Sequence, residues 1–201
     1  MKKSYVLVTT ALEETWPSKK EHILFLGDWC KLYARKRKWQ QFNYDVLPYH
    51  WDDRRKYHND YLLIKLVYED ALKKLSDFLN NYHNESHDLM YWRIICGPWL
   101  GYFLQILYDR FSCLKDAEKN YEIKNIICLS NNIRDQVSND CAVFSGIDIK
   151  DDLWNEFLIS EIIKTQKFNF PITRKFFKYK NNPKIIKKNI SKLKKTFLFF
   201  N

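Results

Sequence analysis

Tyr44-Asp-Val-Leu-Pro-Tyr-His-Trp-Asp-Asp-Arg-Arg-Lys-Tyr-His58 is the stretch on which the reading of the chain turns. Its first residues, Tyr44 to Leu47, form a short apolar run that predicts a strand, and Pro48 stops it. From Asp52 onward the period changes. Tyr57, Tyr61, Ile64, Tyr68, Leu72, Leu75, Phe78 and Tyr82 fall three or four apart, the spacing of one helix face. Asp52 is placed to cap that helix, and Asp53 favours its positive N-terminal end. Strand, turn and helix start thus follow one another within a few residues, the signature of an α/β layer.

Working outward, the same alternation recurs. Tyr5-Val-Leu-Val-Thr9 and His22-Ile-Leu-Phe-Leu26 read as buried parallel strands, separated by the polar loop Thr10 to Pro17. Gly27-Asp28 ends the second strand, and Asp28 is placed to cap a helix from Trp29 to Trp39. A further helix is expected from Asp88 to Ala117. Its segment Leu89 to Tyr108 is almost wholly apolar, long enough to test as a membrane span. Arg93, Pro98 and Gln105 argue instead for a buried central helix, kinked or broken near Pro98. Glu122 to Leu129 reads as another strand, Asn131-Asn132 as a turn into a short helix, and Asp151 to Lys167 as an amphipathic helix. The expected fold class is α/β, with a mainly parallel sheet and flanking helices, over residues 1–167.

Charge divides the chain at the same boundary. All 24 acids lie at or before Glu161, whereas residues 162–201 carry 12 Lys/Arg and no acid. The body therefore has 34 − 12 = 22 bases against 24 acids, and the net +10 belongs to the tail. Residues 168–201 alternate lysine with aromatic and aliphatic residues and end in an expected helix from Pro183 to Phe199. That pattern suits an anionic membrane surface rather than nucleic acid, or a linker to a further domain. The five cysteines form no CxxC pair, so buried reduced thiols are expected, with no metal site and no disulfide frame. The N-terminus leads straight into a strand-like run without a signal-peptide core, so a cytoplasmic location is expected, with the basic tail as the segment that could touch the inner membrane face.

In open α/β sheets ligands bind where strands hand over to loops and helix starts. Three such junctions offer Glu13, Glu14, Asp28, His50, Asp52 and Asp53 as acid/base groups, with Trp16, Trp29 and Trp51 as stacking surfaces. Aromatic faces with carboxylates nearby suit a saccharide. His50 can act as a general base, since an imidazole titrates near neutrality, or be a turn histidine held by hydrogen bonds. Glu13 and Glu14 can share that role or form a solvated loop. Arg54, with Arg55, opposes a helix dipole and can meet negative charge there. Arg93 inside an apolar helix pairs with a carboxylate of the body or contacts substrate. There is no Walker loop, GxGxxG, HExxH or GxSxG motif, and four glycines leave little for a phosphate cradle.

Four strings resemble one family: Leu7-Val-Thr-Thr-Ala-Leu-Glu-Glu-Thr-Trp-Pro17, Leu24-Phe-Leu-Gly-Asp-Trp-Cys30, Pro48-Tyr-His-Trp-Asp-Asp-Arg54 and Tyr91-Trp-Arg-Ile-Ile-Cys-Gly-Pro-Trp-Leu-Gly-Tyr-Phe103. It is the family of transferases encoded in bacterial O-antigen and other surface-polysaccharide gene clusters. The resemblance covers Ser4 to Phe177 and implies the Rossmann-like N-terminal domain of a GT-B glycosyltransferase, in members longer than this chain. It implies a nucleotide-activated sugar as donor substrate, no cofactor, and a saccharide or lipid-linked acceptor. On that reading His50, Glu13 or Glu14 is catalytic, and Trp16, Asp28, Trp29, Trp51, Asp52, Asp53, Arg54 and Arg93 bind substrate. A non-catalytic module that binds acceptor, partner or membrane is the alternative.

Overall fold

A computed structural model describes residues 3–130 and 137–176. The apolar runs form strands β1 (Ser4–Val8), β2 (His22–Phe25), β3 (Asn43–Val46), β4 (Glu122–Ser130) and β5 (Ile172–Phe176). They lie in the order β3-β2-β1-β4-β5, with every neighbouring pair parallel. This is the Rossmann-like doubly wound order, and its winding reverses between β1 and β4. The helices are α1 (Lys36–Trp39), α2 (Arg54–His83), α3 (Leu89–Asn120), α4 (Cys141–Gly146) and α5 (Asp152–Gln166). The strand β5 lies inside the segment expected to be a basic tail. The expected short helix after Asn131-Asn132, the terminal helix and residues 177–201 lie outside the described residues.

The middle strands are apolar on both faces because both are covered, as parallel sheets require. Leu7, Val8, Ile23, Leu24, Phe25 and Ile126 are all fully buried. Each such side chain contributes about 1.5–3 kcal/mol relative to exposure. One cover is made of aromatics, with Trp16 and Tyr44 set edge-on to Phe25. The other brings α3 and α5 together, with Leu114, Ala117, Leu158, Ile159 and Ile162 in the same core.

The connection from β2 to β3 differs from the expected helix at Trp29 to Trp39. Between β2 and β3 lie two 3-10 turns, Asp28–Cys30 and Tyr33–Arg35, and the four-residue α1. Asp28 sits inside the first turn and caps nothing; it forms an ion pair with Lys31 at 2.9 Å. Leu32 is extended and breaks the helical run.

The predicted helix after the β3 junction is present as α2, but its cap is Asp53. The Asp53 carboxylate accepts from the backbone N–H groups of Arg55 and Lys56, while Asp52 ends a 3-10 turn one residue too early. Both α2 and α3 are long, about 45 Å and 48 Å at 1.5 Å per residue, and pair with each other. Only the second half of α3 is the buried helix expected from sequence; Ile94, Ile95 and Tyr102 in its first half are exposed. The helix runs unbroken through Pro98. Gly97 explains the close pairing, since a Cβ there would stand 2.5 Å from the Tyr68 hydroxyl of α2. Among the described residues no helix is long and apolar enough to cross a membrane.

Candidate functional site

The carboxyl ends of β1 and β4, where the winding reverses, are tied together by the first two turns of α5. Asp151 caps that helix through the Trp154 N–H at 2.9 Å. One helical turn then spaces Asp152, Asn155 and Glu156 along one face. The Ala11 N–H donates to Asp152 Oδ1 at 3.3 Å. Glu156 is fully buried and accepts from the Thr9 hydroxyl at 3.1 Å and from the Leu129 N–H at 3.0 Å. Burial pushes its carboxyl up to about 7, outweighing the bonds from Leu129 and Thr9. Burial likewise raises Asp152.

The loop that follows β1 is held on its other side by rings and a guanidinium. Trp29 donates its indole N–H to the Thr9 carbonyl at 2.9 Å, and Trp16 donates to the Thr10 carbonyl at 3.2 Å. Arg35 donates to the Ala11 carbonyl and stands 3.9 Å from Glu13. Gly27 is required for this arrangement. A Cβ at Gly27 would lie 2.1 Å from the Trp29 ring, and the Arg110 guanidinium is 4.1 Å from the centre of that ring. Arg110 also donates to Asn155 at 3.2 Å and pairs with Asp109.

Asp109 leads to the junction after β3. Its carboxylate receives His50 Nε2 at 3.0 Å, and the His50 side chain is 1% exposed. On the other ring edge, Nδ1 has no hydrogen-bond partner among the described residues; the nearest carboxylate oxygen, Asp60 Oδ2, is 3.9 Å away. Asp60 is itself held by Trp51, Lys56 and Tyr108. Burial pushes its carboxyl upward, but those three donors prevail and hold it below the usual range. Cys113, one helical turn past Asp109, completes a buried His50, Asp109 and Cys113 cluster. Burial pushes its thiol up to about 12.

From Trp51 an open groove of about 390 Å³ runs along the α2–α3 hairpin. Tyr57, Tyr61 and Tyr68 line it with Glu69, Lys65 and Gln105. From Tyr57 to Glu69 it follows α2 for about 18 Å. Trp51 stacks on Tyr108 with an interplanar angle of 12°, which fixes the ring at the groove's near end. At the far end Arg93 forms a two-pronged ion pair with Glu69, at 2.9 and 2.6 Å.

The structure thus brings His50 and Trp29 into one polar network through Asp109 and Arg110, and Trp51 joins it through Asp60. Glu13 reaches its margin through Arg35. Glu14 and Asp28 are exposed beside it, Trp16 is buried in the core beneath, and Asp52, Asp53 and Arg54 are exposed at the start of α2. Arg93 stands about 24 Å along α3 from Asp109. Sequence reasoning missed Asp60, Asp109, Arg110, Asp152, Asn155 and Glu156. The available signal was ionisable residues set among apolar neighbours, as in Tyr108-Asp-Arg-Phe111 and Trp154-Asn-Glu-Phe157.

In a dinucleotide-binding site, a glycine turn and helix N–H groups would receive phosphate at the end of β1. Here Thr9 to Leu12 leads only into the 3-10 turn Glu13–Thr15, and the N-terminus of α5 already carries Asp151 and Asp152. Two carboxyl groups, rather than free helix N–H groups alone, thus stand beside the end of β1.

A family model described as LIC12162 family transferase matches residues 5–200. No curated protein and no solved structure matches the chain.

Proposed function

The chain belongs to the LIC12162 family of transferases, and from that premise we propose that it transfers a glycosyl group in surface-polysaccharide assembly, with the acceptor saccharide lying in the groove between Trp51 and Glu69. The observation that carries the reading is the groove's lining. Four aromatic side chains line it, the residue type that packs on sugar C–H surfaces, and Glu69, Lys65 and Gln105 supply the few polar groups that orient hydroxyls. A groove of this length suits an oligosaccharide better than a single ring. The acidic margin of the β1 end supports the same assignment, because it favours a neutral acceptor over a nucleotide phosphate.

In this reading the acceptor extends from Trp51 across the carboxyl ends of the strands, and Glu14, exposed there, takes the proton from its hydroxyl, with Glu13 held beside it by Arg35 and Lys38. His50 is enclosed and positions the Tyr49–Trp51 turn instead. The donor is a nucleotide-activated sugar.

Transfer from radiolabelled nucleotide sugars to a lipid-linked oligosaccharide fraction tests both parts. Tyr61→Ala is expected to raise the acceptor KM by up to about tenfold at unchanged kcat, because an aromatic contact is worth about 0.5–1.5 kcal/mol beyond burial. Glu14→Gln is expected to lower kcat by about 10²–10⁴-fold, the usual contribution of a general base. An unchanged KM in the first variant would remove the groove as acceptor site, and an unchanged kcat in the second would remove Glu14 as base.

A further inference from the structure

We infer that His50, Asp109 and Cys113 form a binding site for one transition-metal ion of the zinc class. The donor atoms of these three buried side chains all lie within 4.8 Å of one another. They supply one nitrogen, one oxygen and one sulfur, the mixture that zinc accepts at about 2.0–2.3 Å per bond. Asp109 and Cys113 are four residues apart on α3, so one helix face presents both, and His50 arrives from the turn after β3. Bringing all three onto one ion requires shifts of about an ångström or less.

The orphaned ring nitrogen is the second observation. With Nε2–H donated to Asp109, the lone pair of Nδ1 faces the Asp60 carboxylate 3.9 Å away and finds no donor. A metal on Nε2 removes this conflict. The ring proton then sits on Nδ1 and points at Asp60, giving the carboxylate–histidine–metal arrangement that orients such ligands. Asp60 is already fixed by Lys56, Tyr108 and Trp51, and Asp109 has its second oxygen on Arg110. Both carboxylates are therefore positioned before any ion enters. On binding, the ring proton moves from Nε2 to Nδ1, the Cys113 thiol proton leaves to solvent, and the His50–Asp109 hydrogen bond gives way to two bonds to the ion. Three protein ligands leave one tetrahedral position open. The site stands independently of the saccharide groove, although Asp60 touches both through Trp51.

The test uses the full chain, purified, stripped with chelator and titrated with Co²⁺. The expected result is one cobalt per chain with a near-ultraviolet sulfur-to-cobalt charge-transfer band. Zinc should displace it and remain at one per chain after dialysis. The band should be absent in Cys113→Ser and retained in Cys128→Ser, which removes another buried thiol. Asp60→Asn should keep the band but weaken the metal about 10–100-fold, the usual effect of losing such a supporting carboxylate. Absence of the band in the unmodified chain, which needs no variant to fold, would overturn the site. So would a band that survives in Cys113→Ser.

Discussion

Replacing Glu156 by glutamine is expected to stabilise the protein at neutral and alkaline pH by about 3 kcal/mol, the free-energy equivalent of moving a carboxyl from 4.5 to about 7 at 1.36 kcal/mol per unit. Below pH 4.5 the carboxyl is protonated both folded and unfolded, so burial carries no ionisation penalty. As pH rises from 4.5 to about 7 the unfolded chain ionises first, and folding must take up a proton. Stability is lost across that window and the loss is complete above it. Glutamine never ionises. Its carbonyl can still accept from the Leu129 N–H, and its amide can donate to the Thr9 hydroxyl, so neither partner is orphaned. Urea unfolding at pH 4.5 and pH 8 checks this. The two proteins should unfold with similar free energies at the lower pH and diverge by about 3 kcal/mol at the higher. Parallel curves would mean that Glu156 ionises in the fold without penalty.

Removing the carboxylate of Asp109 should have the opposite sign and a comparable size. Asp109 is 8% exposed in its side chain and lies between His50 at 1% and Arg110 at 14%. Asp109→Ala leaves the Arg110 charge without its buried partner and the His50 ring without its one hydrogen bond, for which a loss of about 3–5 kcal/mol is expected. Measuring in chelator keeps metal binding out of the comparison. The Arg93–Glu69 pair is the control, because its side chains are 31% and 48% exposed. Glu69→Ala should change stability by less than about 1 kcal/mol. If Asp109→Ala were as mild as Glu69→Ala, the polar network joining β3, α3 and α5 would not be holding the site together.

Much of the fold was legible because its signals are local. The runs Tyr5 to Thr9, His22 to Leu26 and Glu122 to Leu129 are buried on both faces and so read as continuous apolar strands. The three-or-four spacing after Asp52 gave α2. The fifth strand was not legible. Ile172–Phe176 is an exposed edge, so its sequence carries charge and lacks the apolar continuity that marked the others. The Asp28 cap failed for a different reason. Leu32 and Lys31 leave helical geometry where Lys31 folds back onto Asp28 and the Trp39 ring, a tertiary preference that overrides a capping residue.

The site was legible only at its loop residues. Glu13, Trp29, His50 and Trp51 stand at strand ends, where a reader of sequence looks first. Their partners come from long helices: Asp60 from α2, Asp109 and Arg110 from α3, Glu156 from α5. Sequence places these residues on a face but not against a particular loop. The cysteines show the same limit. A search for CxxC finds nothing, because the nitrogen donor beside Cys113 lies far upstream in the chain, at His50. The groove was hidden as well, since the three-or-four spacing puts Tyr57 and Tyr61 on one helix face without saying what covers it, and both lie exposed.

The assignment of the groove to an acceptor saccharide is tested most directly by titrating the isotope-labelled protein with neutral oligosaccharides and following the tryptophan indole N–H resonances. Saturable shifts of the Trp51 indole are expected, with Trp16 and Trp99 unmoved. Shifts confined to Trp99, which lines a separate apolar cavity between α3 and α5, or no shift with any oligosaccharide, would contradict it.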